Sequence, residues 1–273
     1  MPELPEIETT RRAVEPLVAG KTVESVDVRH PGVIAHPDAT TFAESLTGRT
    51  ILGMDRRGKY LVARLDDGSH LTMHMRMTGC LVAAPTGYPE DRHTHVVLHM
   101  DDGTEMRFSD MRRFGRFWLF GPDEEDDSGI GRLGPEPDDP SFDAAYLEGR
   151  IGGSHRAVKE CLLDQTVVAG IGNIYSDEIL FETGIDPARP ADSLTHDEFG
   201  RLAHAIPELL GYFTETNLVT PEDHLSGKGR DYRNTPFLRV YGHAGEPCPR
   251  CGETMVRSVV GGRGSVRCPR CQR

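Results

Sequence analysis

Two groups of residues in this chain could do chemistry on their types and spacing alone. The first opens the sequence: Met1-Pro2-Glu3-Leu4-Pro5-Glu6. Removal of Met1, which the small Pro2 permits, would leave Pro2 as a free secondary amine. An α-amino group has an unperturbed pKa of about 7.7–8.0, against about 10.4 for lysine, so a useful fraction is neutral at physiological pH without burial. Such an amine attacking an aldehyde-like carbon gives an iminium ion, an electron sink for elimination. Glu3 and Glu6 stand three apart at the start of a helix and so share one face. Two carboxylates beside an amine can divide general acid and base work. Acids in a first helical turn also suit the helix dipole by themselves, and on these residues alone that plainer reading is preferred.

The second group is Cys248-x2-Cys251 and Cys268-x2-Cys271, separated by 16 residues. Two such pairs fit a four-cysteine zinc ribbon holding one structural Zn²⁺. The alternative, two disulfides, is disfavoured because Glu3, Glu6 and Glu8 precede any apolar run. No secretory signal peptide is therefore expected, and the chain reads as cytoplasmic. Cys80 and Cys161 have no spacing partner and read as buried apolar residues. Between 246 and 273, Arg250, Arg257, Arg263, Arg267, Arg270 and Arg273 face only Glu246 and Glu253, a local excess of positive charge. The whole chain carries 31 basic and 43 acidic residues, net −12. That balance excludes a uniformly basic nucleic-acid binder and leaves room only for a local basic face. Rigid arginines on a small turn are what phosphate recognition needs.

These groups need elements to position them. Residues 1–18 predict a helix, with Pro5 early, Ile7, Val14 and Leu17 apolar, and Gly20 just past its end. From about 21 to 120 the chain reads as β, with Asp66-Asp67-Gly68 and Asp101-Asp102-Gly103 as turn signals between extended runs. An antiparallel β-sandwich or flattened barrel should result. Residues 121–140, with five acids in a row at 123–127, read as a solvated acidic linker. From 141 to about 215 the apolar spacing is helical, and 216–236 read as a long polar loop. The fold class is α+β and multi-domain: 1–120 a β-sandwich with its leading helix, 141–236 a helical domain, 237–273 the ribbon. No run of 18 apolar residues exists to span a membrane.

Taken together, the segments resemble the formamidopyrimidine-DNA glycosylases, within the group that includes endonuclease VIII. The resemblance is carried along the whole chain by Met1 to Thr9, Arg57-Gly58-Lys59-Tyr60-Leu61 and His74-Met75-Arg76-Met77-Thr78-Gly79. It continues through Arg112-Arg113-Phe114-Gly115, Leu133-Gly134-Pro135-Glu136-Pro137, Gly170-Ile171-Gly172-Asn173-Ile174-Tyr175 and the ribbon. Leu4 matches these glycosylases; endonuclease VIII usually opens Pro-Glu-Gly-Pro-Glu. The resemblance implies a bifunctional enzyme that excises oxidised purines such as 8-oxoguanine and formamidopyrimidines, then nicks the strand by β,δ-elimination. Pro2 would attack C1′ and form the Schiff base, Glu3 would move protons, Glu6 would support the site, and Lys59 would assist elimination. Met77, Arg112 and Phe114 would fill the gap left by the extruded base. His93, Lys159 and Asn173 would contact DNA, Asn173 from a helix–two-turn–helix motif. Arg263 would grip the phosphates flanking the lesion and support the second elimination.

The partner implied is damaged double-stranded DNA, bound between the two domains by a monomer with no membrane association, in the cytoplasm at the nucleoid. Three positions depart from the family pattern. Ser154, His155 and Arg156 stand where many relatives carry a lysine; His95 lies two beyond His93; and 217–234, where relatives close a loop over the base, match loosely. Lys228, Arg230, Tyr232 and Arg233 are the residues there that could grip the base or a phosphate. Alternatives are an endonuclease VIII-like preference for oxidised pyrimidines, or a non-catalytic binder of damaged DNA. A binder would not need Pro2, Glu3, Glu6 and Lys59.

Overall fold

The computed structural model describes residues 1–230 and 234–273. It contains two compact units: 1–131 with the described part of 217–232, and 132–216 with the described part of 233–273.

The first unit opens with helix α1 (Leu4–Val18), followed by β1 (Val23–Val28), β2 (Ile34–His36), α2 (Ala39–Leu46), β3 (Ile51–Arg57) and β4 (Tyr60–Leu65). Strands β5 (His70–His74), β6 (Gly79–Pro85), β7 (Thr94–Met100), β8 (Thr104–Asp110) and β9 (Arg116–Phe120) complete it. They form a four-stranded sheet β1-β7-β8-β6 and a five-stranded sheet β2-β9-β5-β4-β3. Val96, Leu98 and Phe108 of one sheet and Leu61, Met73 and Phe117 of the other share a single core with Ile7 and Val14 of α1. This is the expected sandwich, in which alternate residues of each strand are buried against the opposite sheet.

Three features depart from the sequence reading. The β region contains a helix, α2, because Asp38 caps it by accepting from the amides of Thr40 (2.9 Å) and Thr41 (3.1 Å) and because Phe42 and Leu46 find the core. One pairing, β2 with β9, is parallel. The acidic run is not wholly solvated: Asp126 accepts from Thr72 Oγ1 (3.0 Å) and meets His70 Nε2 (3.2 Å), so β5 holds the fourth acid of the run.

The second unit contains α3 (Ala144–Ile151), α4 (Val158–Leu163), α5 (Asn173–Thr183) and α6 (His196–Thr216), then the hairpin β10 (Val256–Val260) and β11 (Arg263–Arg267). Helix α5 is central: the seven residues from Tyr175 to Phe181 are all buried. Two of them are acids, and both accept from backbone amides near or within the ribbon. Glu178 accepts from the amides of Arg239, Val240 and Tyr241, the approach to the ribbon. Asp177 accepts from the amide of Val266 (3.1 Å) and from Ser265 Oγ (2.6 Å), inside β11. Buried carboxylates satisfied this way are moorings rather than free charges.

The segment expected as a loop of the helical domain is a further correction. It contains helix α7 (Pro221–Ser226), capped by Thr220, and it packs on the first unit. Asn217 Nδ2 donates to Thr9 Oγ1 of α1 (2.9 Å), His224 Nε2 sits 2.9 Å from the carbonyl of Leu81, and Arg230 pairs with Asp91 at 3.3 Å. β6 is an edge strand, and α7 covers it. Gly229 (φ +67) is needed there, because a Cβ would lie 3.1 Å from Cys80 Cβ and from Val82 Cγ1. Tyr232 and Arg233, two of the residues expected to grip the base or a phosphate, lie outside the described residues.

Candidate active site and nucleic-acid contacts

The start of α1 is a capping box. Glu3 is the residue before the helix, and Glu6 turns its carboxylate back to accept from the Glu3 amide at 2.9 Å. The two acids therefore do not stand side by side on one helical face as their spacing suggested. Glu6 fixes the backbone from which Glu3 and Pro2 project. Pro2 and Glu3 are buried, while Met1 is exposed, so removal of Met1 leaves the core intact. The helix itself is pinned along β3. Glu15 accepts from the amide of Met54 (2.9 Å), and Glu8 meets Arg11, Arg12 and Arg56. Burial alone would raise the Glu8 carboxyl; hydrogen bonds from Arg11 and Arg12 and the nearby charge of Arg56 hold it below its usual range.

Lys59 occupies the two-residue turn between β3 and β4, after Gly58 at φ +54. The lysine is only 6% exposed. Its neighbour Tyr60 packs edge-on to His74 at 4.6 Å and donates its hydroxyl to the carbonyl of Ser128 (3.1 Å). His74 is a residue that the sequence does not single out, although it lies inside one of the motifs. Burial, with Arg76 and Lys59 nearby, pushes its imidazole down to about 3, so it is neutral at physiological pH. Its Nδ1 accepts from the Arg76 amide (3.0 Å), which places the ring proton on Nε2 as a donor.

Met77 and Phe114 are outside the core, at 37% and 45% exposed, so neither packs as a β-core residue. Each sits on a tight turn with a left-handed residue: Arg76 at φ +55 before Met77, and Arg113 at φ +58 before Phe114. The Arg112 guanidinium lies 4.5 Å from the centre of the Phe114 ring. Of the two nearby histidines, His95 is buried with Nε2 2.8 Å from the carbonyl of Asp110. His93 is half-buried, with Nδ1 3.2 Å from Asp91, the same acid that holds Arg230. His93 is thus the more accessible of the two.

In the second unit the structure corrects one expectation outright. Lys159, expected on a phosphate, is 0% exposed, and its ammonium lies 2.7 Å from Asp177 and 3.1 Å from the carbonyl of Gly264. A buried ammonium must be paired, and Asp177 pairs it. Asn173 stands at the first position of α5 and donates from Nδ2 to the same Gly264 carbonyl at 3.0 Å. Lys159 and Asn173 therefore converge on the residue after Arg263. The turn before Arg263 is Gly261-Gly262, both at positive φ (+55 and +72), between paired Val260 and Arg263. That is the requirement of a I′ hairpin, and it fixes the stem of the arginine. Among the described residues Arg263 has no acidic partner, and it is exposed. Its neighbours differ: Arg250 is spent on Glu182 (2.6 Å) and the Phe181 carbonyl (2.9 Å), and Arg267 meets Asp186 at 3.3 Å. In the same hairpin Arg257 is likewise exposed with no acidic partner among the described residues, so Arg257 and Arg263 both keep a free charge there. At the departing segment, His155 meets Asp192 (2.5 Å) and Arg156 meets Asp164 (3.1 Å).

The four cysteines present sulfurs that all lie within 4.8 Å of one another. Cys248 and Cys271 sulfurs are 3.9 Å apart, Cys251 and Cys268 3.5 Å. A tetrahedron with Zn–S bonds of about 2.3 Å requires sulfurs roughly 3.8 Å apart, so the four fit one ion. Phe181, Val240, Met255 and Val266 close an apolar cluster around Cys248 and Cys268.

Comparison with known proteins agrees with this geometry. The profile of the formamidopyrimidine-DNA glycosylase N-terminal domain matches residues 1–117, that of its H2TH domain residues 133–218, and that of the zinc finger found in FPG and IleRS residues 245–273. The formamidopyrimidine-DNA glycosylase of Moorella thermoacetica is 48% identical over 94% of this chain and 94% of its own length. The Lactococcus lactis FPG (MutM) in complex with FAPY-dG-containing DNA is 32% identical with a TM-score of 0.90, covering 99% of this chain and 100% of that one. The Lactococcus lactis Fpg with DNA containing an abasic site is 31% identical with a TM-score of 0.90, covering 99% of each chain. The fold and site define a DNA glycosylase of base excision repair with a structural zinc site. The chain belongs to the formamidopyrimidine-DNA glycosylase family.

Proposed function

We propose that the chain excises oxidised purines from duplex DNA and then cuts the strand by β- and δ-elimination through a Schiff base on Pro2. The observation that carries this is the start of α1, where the buried Glu3 adjoins Pro2 and its backbone is held by Glu6. Binding alone gains nothing from a buried acid beside a chain-terminal amine. In the proposed sequence the Pro2 nitrogen bonds to C1′ as the C1′–base bond breaks, and the base leaves with a proton. Sugar-ring opening, with a proton delivered to O4′, gives the iminium. Loss of a C2′ proton expels the 3′ phosphate, and a second elimination expels the 5′ phosphate. Glu3 moves protons at the base and sugar, and Lys59 assists elimination from its rigid turn.

Met77, Arg112 and Phe114 fill the space of the extruded nucleotide, and His93, Asn173 and Arg263 contact the DNA. Lys159 acts through Gly264 rather than on a phosphate. The relatives bound to FAPY-dG and to abasic DNA support a damaged purine as substrate and an abasic site as intermediate. Among the described residues no helix is long and apolar enough to cross a membrane. We place the enzyme in the cytoplasm, at the nucleoid, as a monomer.

Glycosylase assays on a panel of duplexes test the lesion preference. Faster excision of 8-oxoguanine and formamidopyrimidines than of oxidised pyrimidines is expected; the reverse order would assign the endonuclease VIII-like specificity instead. Arg263→Ala tests the ribbon. A protein that neutralises one phosphate fewer has a dependence of log affinity on log salt flatter by about one unit. The variant should show that change, together with more β-product relative to δ-product, because Pro2 and Glu3 are untouched. A wild-type salt slope and product ratio would make Arg263 a solvated surface residue.

A further inference from the structure

Asp110 ends β8 and is 0% exposed, yet both oxygens of its carboxylate are directed at the two turns that carry Met77 and Phe114. Its Oδ2 accepts from the amides of Phe114 (2.7 Å) and Gly115 (2.8 Å), and its Oδ1 accepts from the amide of Arg112 (3.0 Å). Its backbone amide donates to the carbonyl of His93 (3.1 Å), and its carbonyl faces His95 Nε2. Three backbone donors around one carboxylate, with Arg113 left-handed between them, make an anion nest that the protein fills with its own acid. Burial would raise this carboxyl, but the Thr78 hydroxyl and the three amides outweigh it and hold it below the usual range.

The second turn is tied to the same acid. Thr78, the residue after Met77, donates its hydroxyl to Asp110 Oδ1 and accepts from the Arg112 amide at 3.2 Å. Each turn ends at a glycine packed closely against its neighbours. A Cβ on Gly79 would lie 2.4 Å from the Met75 carbonyl, and one on Gly115 would lie 2.3 Å from the Phe108 ring. Thr78 therefore bridges the Met77 turn to both the carboxylate and the backbone of the Arg112–Phe114 turn.

We propose that Asp110 and Thr78 are positioning residues that lock the two wedge-bearing turns into one rigid body, so that Met77, Arg112 and Phe114 enter the duplex together. The proposal rests on the wedge role assigned above. Its physical basis is that two independently mobile turns would each lose conformational freedom on insertion, whereas a preorganised pair has lost it on folding. A carboxylate holding charge-assisted hydrogen bonds to both turns supplies that order in the free enzyme.

The test uses Thr78→Val, which keeps the shape of the side chain and removes only the hydroxyl, with Thr78→Ser as the variant that restores it. Single-turnover excision of 8-oxoguanine from duplex DNA is compared with cleavage of a preformed abasic site, in the wild-type and Phe114→Ala backgrounds. Thr78→Val should slow duplex excision about ten-fold, the effect of removing one hydrogen bond to a charged group. It should slow abasic-site cleavage much less, and Thr78→Ser should recover the wild-type rate. In the Phe114→Ala background the Thr78→Val effect should largely vanish, because both changes then act on the same wedge. Additive losses, or equal losses on both substrates, would overturn the proposal as a general destabilisation. A slow Phe114→Ala enzyme beside a wild-type Thr78→Val enzyme would overturn it while leaving the wedge reading intact. A wild-type Phe114→Ala enzyme would remove the wedge reading and this proposal with it.

Discussion

Borohydride added to the enzyme on lesion-containing duplex DNA should trap a covalent complex, and a chain that keeps Met1, or carries one extra residue before Pro2, should trap almost none. The reason is electronic. With Met1 attached the Pro2 nitrogen is a tertiary amide, its lone pair is delocalised into the carbonyl, and it cannot form an iminium. The fall in single-turnover excision should be about 10³-fold or more, the scale on which removing a nucleophile acts. Pro2→Gly supplies a primary amine in place of the ring nitrogen and should trap weakly rather than not at all. Glu3→Gln should keep the amine but lose the proton carrier, slowing excision about 10²-fold or more. Because Met1 is exposed, its retention does not disturb the core, so the melting temperature of that chain should stay near wild type. Undiminished trapping with Met1 still in place would remove Pro2 from the mechanism.

Zinc removal should have the second large effect. Metal analysis of the purified chain should give about one equivalent, and chelation or Cys268→Ser should unfold the ribbon. A structural zinc site contributes about 10–16 kcal/mol in small domains, comparable to or above the stability of most whole domains. The consequence reaches further than the ribbon's own residues. β11 supplies the amide and hydroxyl that satisfy Asp177, and Gly264 receives both Lys159 and Asn173. Loss of the metal should therefore leave the buried Lys159–Asp177 pair partly unsatisfied. Amide exchange should rise along α4 and α5 as well as across 248–271, and DNA affinity should fall together with its salt dependence. Exchange confined to the ribbon, with α5 as protected as in the zinc-loaded enzyme, would show that these moorings hold without metal. A metal-free chain with disulfides at these cysteines and normal DNA binding would contradict the zinc assignment itself.

Much of this site is set by short-range chemistry, and that part is legible in the sequence. The cysteine pairs declare themselves because a metal ligand set needs two thiolates on each of two tight turns. Pro2 stands out only when the motifs are read together, because the acids beside it suit a helix dipole equally well, whereas the Arg57-Gly58-Lys59-Tyr60 turn needs only a glycine at positive φ between two alternating strands. The order of motifs carries the family, and with it the sandwich, the helical domain and the ribbon.

What tertiary structure alone decided are the burials and partners that cross long stretches of chain. Nothing local distinguishes Lys159 from a surface lysine; its fate depends on Asp177, 18 residues on, and on Gly264, 105 residues on. Asp110 reads as a turn acid until the Thr78 hydroxyl and the Arg112, Phe114 and Gly115 amides converge on it. The segment after α6 is polar enough to pass for a loop. It becomes a helix on the first unit because the edge strand β6 offers the Leu81 carbonyl to His224 and α1 offers Thr9 to Asn217. Composition and spacing specify residue types that can do chemistry. A buried polar group, by contrast, takes its role from whichever partner removes the cost of desolvating it, and that partner is chosen by the fold.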